Sequence, residues 1–206
     1  MPQVASAELG GYAAQMATEE RRHRRNFNEP GDAHELTFSC YRRYKFLVSD
    51  RVRVWLQSSL EAARAELEFD LWAYVFMPEH VHLIVYPRRE DYDIAEIRQA
   101  IKEPVGRQAM KYLREYRPDW VPKLTHRRGK REERLFWQSG GGYDRNITES
   151  ETLNSMIEYI HLNPVRRGLV EQAVDWEWSS AARLEDVGPS PVSLDPIPPE
   201  WLDAGT

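Results

Sequence analysis

The sequence predicts an α+β fold in which an antiparallel sheet carries helices on one face. Three observations predict it. Short runs with strand character occupy Glu35 to Cys40, Leu71 to Phe76 and His80 to Tyr86; longer runs with helical spacing lie between and after them; and the order β-α-β-β-α-β-α shows no internal repeat. A length of 206 residues suits one domain with decorations.

Taken in order, residues 1–34 mix small residues with the cluster Arg21, Arg22, His23, Arg24 and Arg25, then Asn28, Glu29, Pro30, Gly31 and Asp32. That reads as an N-terminal arm ending in a turn, with the folded domain beginning near His34 and spanning 35–183. ELTFSC, Glu35 to Cys40, alternates polar and apolar residues as a half-buried strand does. Ser49 or Asp50 can cap a helix whose apolar positions Val52, Leu56, Leu60, Ala63 and Leu67 recur at helical spacing. LWAYVF and HVHLIVY, joined by Met77-Pro78-Glu79, predict an antiparallel hairpin. From Asp93, the series Ile94, Ile97, Ile101, Val105, Ala109 and Leu113 predicts a second helix, which Pro104 and Gly106 should kink or divide. LTHRRGKREER, Leu124 to Arg134, shows no buried face and predicts a basic loop; strand-like Leu135 to Gln138 and a glycine joint at Gly140 to Gly142 follow. Thr148 and Glu151 form the capping box of a third helix with core stripe Leu153, Met156, Ile157 and Ile160, ended by Pro164. Residues 184–206, with five prolines and no basic residue, predict an irregular acidic tail.

Composition narrows the function classes. Hydrophobic residues make up 41% and charged residues 30%, and no apolar run approaches the roughly 20 residues of a membrane span. The N-terminus lacks the apolar core of a secretory signal, and the lone Cys40 forbids an internal disulfide framework, so a cytoplasmic setting without membrane partners is expected. The net charge of −5 argues globally against nucleic acid. Its distribution argues the other way, because Arg98 to Arg134 holds 12 basic and 5 acidic residues, whereas Glu171 to Thr206 holds 8 acidic and 1 basic.

Alternation along a strand points His80 and His82 to one face and Val81, Leu83 and Val85 to the other. Two imidazoles about 6.5 to 7 Å apart at their backbones can converge on one cation. They can equally be two partly buried histidines satisfied by hydrogen bonds. On the third helix, at about 100° per residue, Asn163 falls about 40° from Tyr159, both bordering the stripe that faces the sheet, while His161 points about 160° away. An amide oxygen there can join the imidazoles around a metal with a phenol beside it. Tyr159 can also be an aromatic at the edge of a core.

HVHLIV after MPE, WQSGGGYDRNI, YIHLNPVRRGLV and DWEWSSA, in that order over Glu35 to Ala181, together resemble the single-tyrosine HUH transposases, most closely the REP-associated tyrosine transposases. The resemblance implies a ferredoxin-like sheet, a metal pair at His80 and His82, a nucleophile at Tyr159 and a metal-binding amide at Asn163. It implies single-strand DNA cleavage and strand transfer at hairpin-bearing repetitive DNA through a 5′-phosphotyrosine. Glu79 departs from the Asn or Asp common in that family, and residues 1–34 match nothing in it. Two imidazoles and a neutral amide suit Mn2+ in affinity, and Mg2+ by abundance in the cell.

Lys123, Arg127, Arg128, Lys130, Arg131 and Arg134 in the basic loop, with Arg166 and Arg167 beyond the tyrosine helix, are the expected DNA contacts, on single-stranded or hairpin DNA. A monomer or homodimer is expected. A non-cleaving DNA-binding regulator of the same fold is the alternative reading; a phosphoesterase without a covalent intermediate would need carboxylates that the sequence does not place near the histidines. The acidic tail could cover the basic face and compete with DNA, or its prolines could pack Ile197 and Trp201 over apolar surface.

Overall fold

The computed structural model describes residues 28–129, 131–140 and 142–202. Positions 1–27 of the expected arm therefore lie outside the described residues. The chain runs β1 (Ala33–Ser39), α1 (Asp50–Leu67), β2 (Phe69–Phe76), β3 (His80–Pro87), α2 (Ile94–Tyr116), β4 (Thr125–Arg128), β5 (Arg131–Arg134), β6 (Tyr143–Ile147), α3 (Ser150–His161), α4 (Asn163–Arg166) and α5 (Ala181–Leu184).

The α+β class with an antiparallel sheet is borne out: β2-β3-β1-β6 form four strands, each pair antiparallel. Helices α1 and α2 share one face, where Leu56, Leu60, Ile97 and Ile101 pack against Leu36, Phe38, Val81 and Leu83. Helix α3 covers the other, with Leu153, Met156 and Ile160 against Ala33, Trp72, Val75 and Ile84. Helices thus lie on both faces rather than one, because the stripe of α3 answers the apolar residues of opposite parity along the same strands. That second face also carries His80 and His82.

The fourth sheet strand comes later than the sequence suggests. Leu135 to Gln138 makes a single bridge, Cys40 to Trp137, and the strand is β6, YDRNI, paired with Ala33 to Thr37. Gly142 fixes this approach: at φ +73° its backbone passes so close to β1 that a Cβ would lie 2.3 Å from the Thr37 carbonyl oxygen. The basic segment is not an open loop but a two-stranded ribbon, β4 with β5, turned at Gly129 and rooted by buried Leu124.

Helix α2 runs unbroken through Pro104. Proline removes the donor for the Ala100 carbonyl, and the buried Ser59 hydroxyl of α1 donates to the Ala100 and Ile101 carbonyls instead, at 3.2 and 2.8 Å. No capping box opens α3: Glu149 is its N-cap and makes no side-chain cap bond. The helix ends at His161, and Pro164 sits in the first turn of the short α4, where a missing N–H does no harm.

Residues 185–202 hold no regular strand or long helix, yet they are packed. Val192 and Trp201 are buried, and Asp195 exchanges backbone and side-chain hydrogen bonds with Leu71 on the outer edge of β2. Among the described residues, no helix is long and apolar enough to cross a membrane.

Candidate functional site

The register of the central strands builds the site. Thr37 lies opposite His82, and Ser39 opposite His80, so both imidazoles stand on the α3 face beside Glu35 and Thr37. The two Nε2 atoms are 3.1 Å apart. On their far sides, His80 Nδ1 lies 3.1 Å from Glu79 Oε1, and His82 Nδ1 lies 3.2 Å from Glu35 Oε1 and 2.8 Å from Thr37 Oγ1. The Thr37 hydroxyl donates to Glu35 at 2.9 Å.

Burial pushes the Glu79 carboxyl up, but hydrogen bonds from His80 and Arg167 outweigh it and hold the group at about 2. A carboxylate can only accept, so His80 donates from Nδ1. Burial holds His80 below its ordinary value, despite the opposing pull of Glu79, so the imidazole is neutral and its Nε2 presents a lone pair toward His82. The His82 Nε2 at 3.1 Å can either donate to that lone pair or, in the tautomer that donates from Nδ1 to Glu35 or Thr37, face it with a second lone pair across a gap that a cation would fill. Adjacent donors of an octahedral cation at about 2.1 Å are themselves about 3.0 Å apart, so the pair has the spacing of metal ligands.

Tyr159 meets this pair from above. Its ring stands edge-on to His82, centroids 6.4 Å apart and planes at 87°. The Arg166 guanidinium lies 4.7 Å from the Tyr159 ring centroid and donates to the Tyr159 carbonyl at 3.1 Å. Burial pushes the phenol above its ordinary pKa, the Glu35 charge adds to this, and Arg166 opposes it. The Asn163 amide donates from Nδ2 to the Tyr159 and Ile160 carbonyls at 3.1 and 3.3 Å, which leaves Oδ1 as the end not spent on the helix. His161 is turned away as expected: it is buried against the Ser180 hydroxyl at 2.8 Å, and burial lowers it to about 4.

A cleft of about 770 Å³ gathers His80, His82, Tyr159, Asn163 and Arg167 with Tyr143, Arg43, Lys102 and Gln138. Tyr143 faces this cleft from β6, directly across from Thr37. The other expected DNA contacts are more dispersed. Lys123, Arg127 and Arg134 belong to the ribbon and its root, and each has a carboxylate nearby, Asp119 for Lys123 and Glu132 for the two arginines. Arg128 and Arg131 are strand residues flanking the turn, and Lys130 lies outside the described residues. Arg166 is at the site. Arg167 is there too, its guanidinium paired with Glu79.

Sequence reasoning missed Glu35, Glu79, Arg43 and Lys102 as members of this site. Only strand register brings Glu35 beside His82, and a single sequence does not give register. Glu79 carried one signal, its adjacency to His80.

A family described as "Transposase IS200 like" matches residues 33–163. The chain belongs to this family. A Haemophilus influenzae protein named as a REP-associated tyrosine transposase is 26% identical over 161 residues, covering 78% of this chain and 85% of its own. The REP-associated tyrosine transposase of Escherichia coli is 24% identical over 129 residues, 62% of this chain and 64% of that protein. In fold, the chain is similar to a solved REP-associated tyrosine transposase bound to a REP hairpin, with a TM-score of 0.63 at 20% identity over 84% of this chain and 92% of that one. The resemblance read from the motifs is thereby borne out, and the family match spans β1 through the start of α4, the segment that carries Glu35, Glu79, His80, His82, Tyr159 and Asn163 and stops short of Arg166 and Arg167.

Among the described residues, no three His, Cys, Asp or Glu side chains converge on one point. If the two imidazoles held a cation, a third protein donor would have to be of another kind, and the Asn163 oxygen lines the same cleft. Glu79 and Glu35 fit as the outer partners that orient metal-binding histidines.

Proposed function

We propose that this chain is a metal-dependent single-strand DNA endonuclease and strand transferase acting beside hairpins of repetitive DNA, with Tyr159 as the nucleophile. The observation that carries the reading is the convergence of His80 and His82 Nε2, 3.1 Å apart, beneath the ring of Tyr159 in an open cleft. The names of the relatives support the hairpin substrate, and the unit that acts on it is residues 35–183.

Tyr159 Oη attacks the phosphorus, the Oη–P bond forms and the P–O3′ bond breaks. The phenol loses its proton and the departing 3′ oxygen gains one, leaving a 5′-phosphotyrosine and a free 3′-hydroxyl. Reversal by another 3′-hydroxyl transfers the strand without an energy-supplying cofactor. An alcohol with a pKa near 10 is a weak nucleophile, and the surroundings of Tyr159 push it higher still. A bound Mg2+ or Mn2+ supplies phosphate neutralisation and stabilises the leaving oxygen. His80 and His82 would hold it, Asn163 would complete the protein donors, and Glu79 and Glu35 would keep both imidazoles in the binding tautomer. Arg166, stacked on the phenol, keeps the ring facing the cleft.

The test is incubation with a labelled hairpin oligonucleotide and Mn2+. A protein-DNA adduct that survives denaturation is the expected result. Hairpin binding with no adduct overturns the enzyme in favour of a non-cleaving regulator.

A further inference from the structure

The cleft around Tyr159 does not end at the site. Lys102, Gln138, Ser139 and Gly140 also line a second groove of about 610 Å³. One stripe of α2 forms its floor, where Ala95, Gln99, Lys102, Gly106 and Met110 recur at helical spacing. Residues 134–140 form its wall. The Trp137 indole donates to the Lys102 carbonyl at 2.8 Å, so wall and floor are fastened together before any ligand arrives.

Arg98, Lys102, Arg107 and Arg134 line this groove against one acid, Glu103. Arg98 is buried, so the accessible run along the helix is from Lys102 to Arg107, about 7.5 Å, with Arg134 on the facing wall. Lys102 stands where groove and cleft meet. It is half-buried, its Nζ lies 5.6 Å from the Phe38 ring centroid, and it has no ion pair among the described residues. A half-buried ammonium without a carboxylate is poorly solvated and gains most from an arriving anion. Burial, with help from the Arg98 charge, lowers it to about 8.

We propose that this groove carries the single-stranded DNA next to the scissile phosphate, its sugar-phosphate backbone tracked by Lys102, Arg107 and Arg134 rather than by the β4-β5 ribbon alone. The inference rests on the Tyr159 reading above. The walls offer cations but no exposed ring, since Phe136 and Trp137 are 3% and 7% exposed, so backbone tracking without base stacking is expected.

Two hairpin oligonucleotides decide it, one blunt and one with a single-stranded flank of about ten nucleotides. Affinity is measured in chelator, so that nothing is cut, at several salt concentrations. The flank should raise wild-type affinity about tenfold and steepen its salt dependence. Arg107→Glu, at an exposed position, should lose most of that ratio, and the flank's salt slope should fall by about 0.7 for each cation removed. Lys102→Ala should do the same, and Lys102→Arg should restore it. Variants that melt like wild type and keep the full flank ratio overturn the groove. A lost flank ratio in a protein that forms no Tyr159 adduct supports the groove and overturns the enzymatic reading instead. A wild type that binds neither oligonucleotide overturns both.

Discussion

At the scale of single residues, the proposed mechanism separates the group that would react, Tyr159, from the groups that would hold metal and ring. Tyr159→Phe removes one oxygen and little packing, so adduct formation should disappear while hairpin affinity stays within about threefold of wild type. Tyr143→Phe is the paired control, because Tyr143 lines the same cleft; an adduct that survives the first substitution and not the second reassigns the nucleophile. His80→Ala and His82→Ala should each abolish metal-dependent cleavage. Asn163→Ala should leave a weaker enzyme that high Mn2+ partly rescues, and cleavage undiminished by a chelator contradicts the metal role altogether. Glu35→Gln and Glu79→Gln act one shell further out. Each should weaken Mn2+ affinity about 10- to 100-fold with Tyr159 untouched, measurable by calorimetry without DNA. His80, His82, Tyr159 and Asn163 were legible in the sequence because each pair's facing depends only on local spacing along one strand or helix turn. Glu35 was not, since its meeting with His82 depends on how β1 registers against β3.

At the scale of elements, legibility followed burial. The long helices and the β2-β3 hairpin bury one or both faces, and their apolar spacing announces them. β6 is an edge strand in which only Ile147 is buried, and β4 and β5 are charged on both faces, so neither pattern carries a period to read. The expected break of α2 failed for a different reason: its remedy lies on another helix. Ser59 replaces the donor that Pro104 lacks, and a buried carbonyl left without a partner costs about 1 to 3 kcal/mol. Ser59→Ala should therefore destabilise the wild type by roughly that amount. In a Pro104→Ala background, where the helix supplies its own N–H, the same substitution should cost about 1 kcal/mol less. Denaturant unfolding of the four proteins in the cycle measures this, and simple additivity would show that Ser59 does not compensate for the proline.

At the scale of the whole molecule, the acidic tail is packed against the sheet. β2 is an outer strand, and an uncovered edge offers unpaired N–H and C=O groups to other chains. The chain after α4 covers that edge twice: Phe76 donates to the Trp178 carbonyl at 2.8 Å and Ser180 donates to the Tyr74 carbonyl at 3.0 Å, and further along Asp195 pairs with Leu71. Arg64 of α1 holds Asp195 in an ion pair, and Trp201 packs edge-on against Trp72 with centroids 5.3 Å apart. The tail's charge thus meets α1 on the far side of β2 from β6, and Ile197 and Trp201 join the core beneath α3. These contacts cover the β2 edge and the apolar surface beneath α3. Trp201→Ala empties a buried site and should cost about 3 kcal/mol, lowering the melting midpoint by about 6 to 12 °C for a chain of this size. Truncation after Arg183 should lower it further and expose the β2 edge at Leu71, where the Asp195 pairing is lost, so the shortened protein should also aggregate on warming. Neither change should tighten hairpin binding or steepen its salt dependence. A truncated protein that melts like the full chain and binds DNA more tightly would mean that the tail competes with phosphates after all.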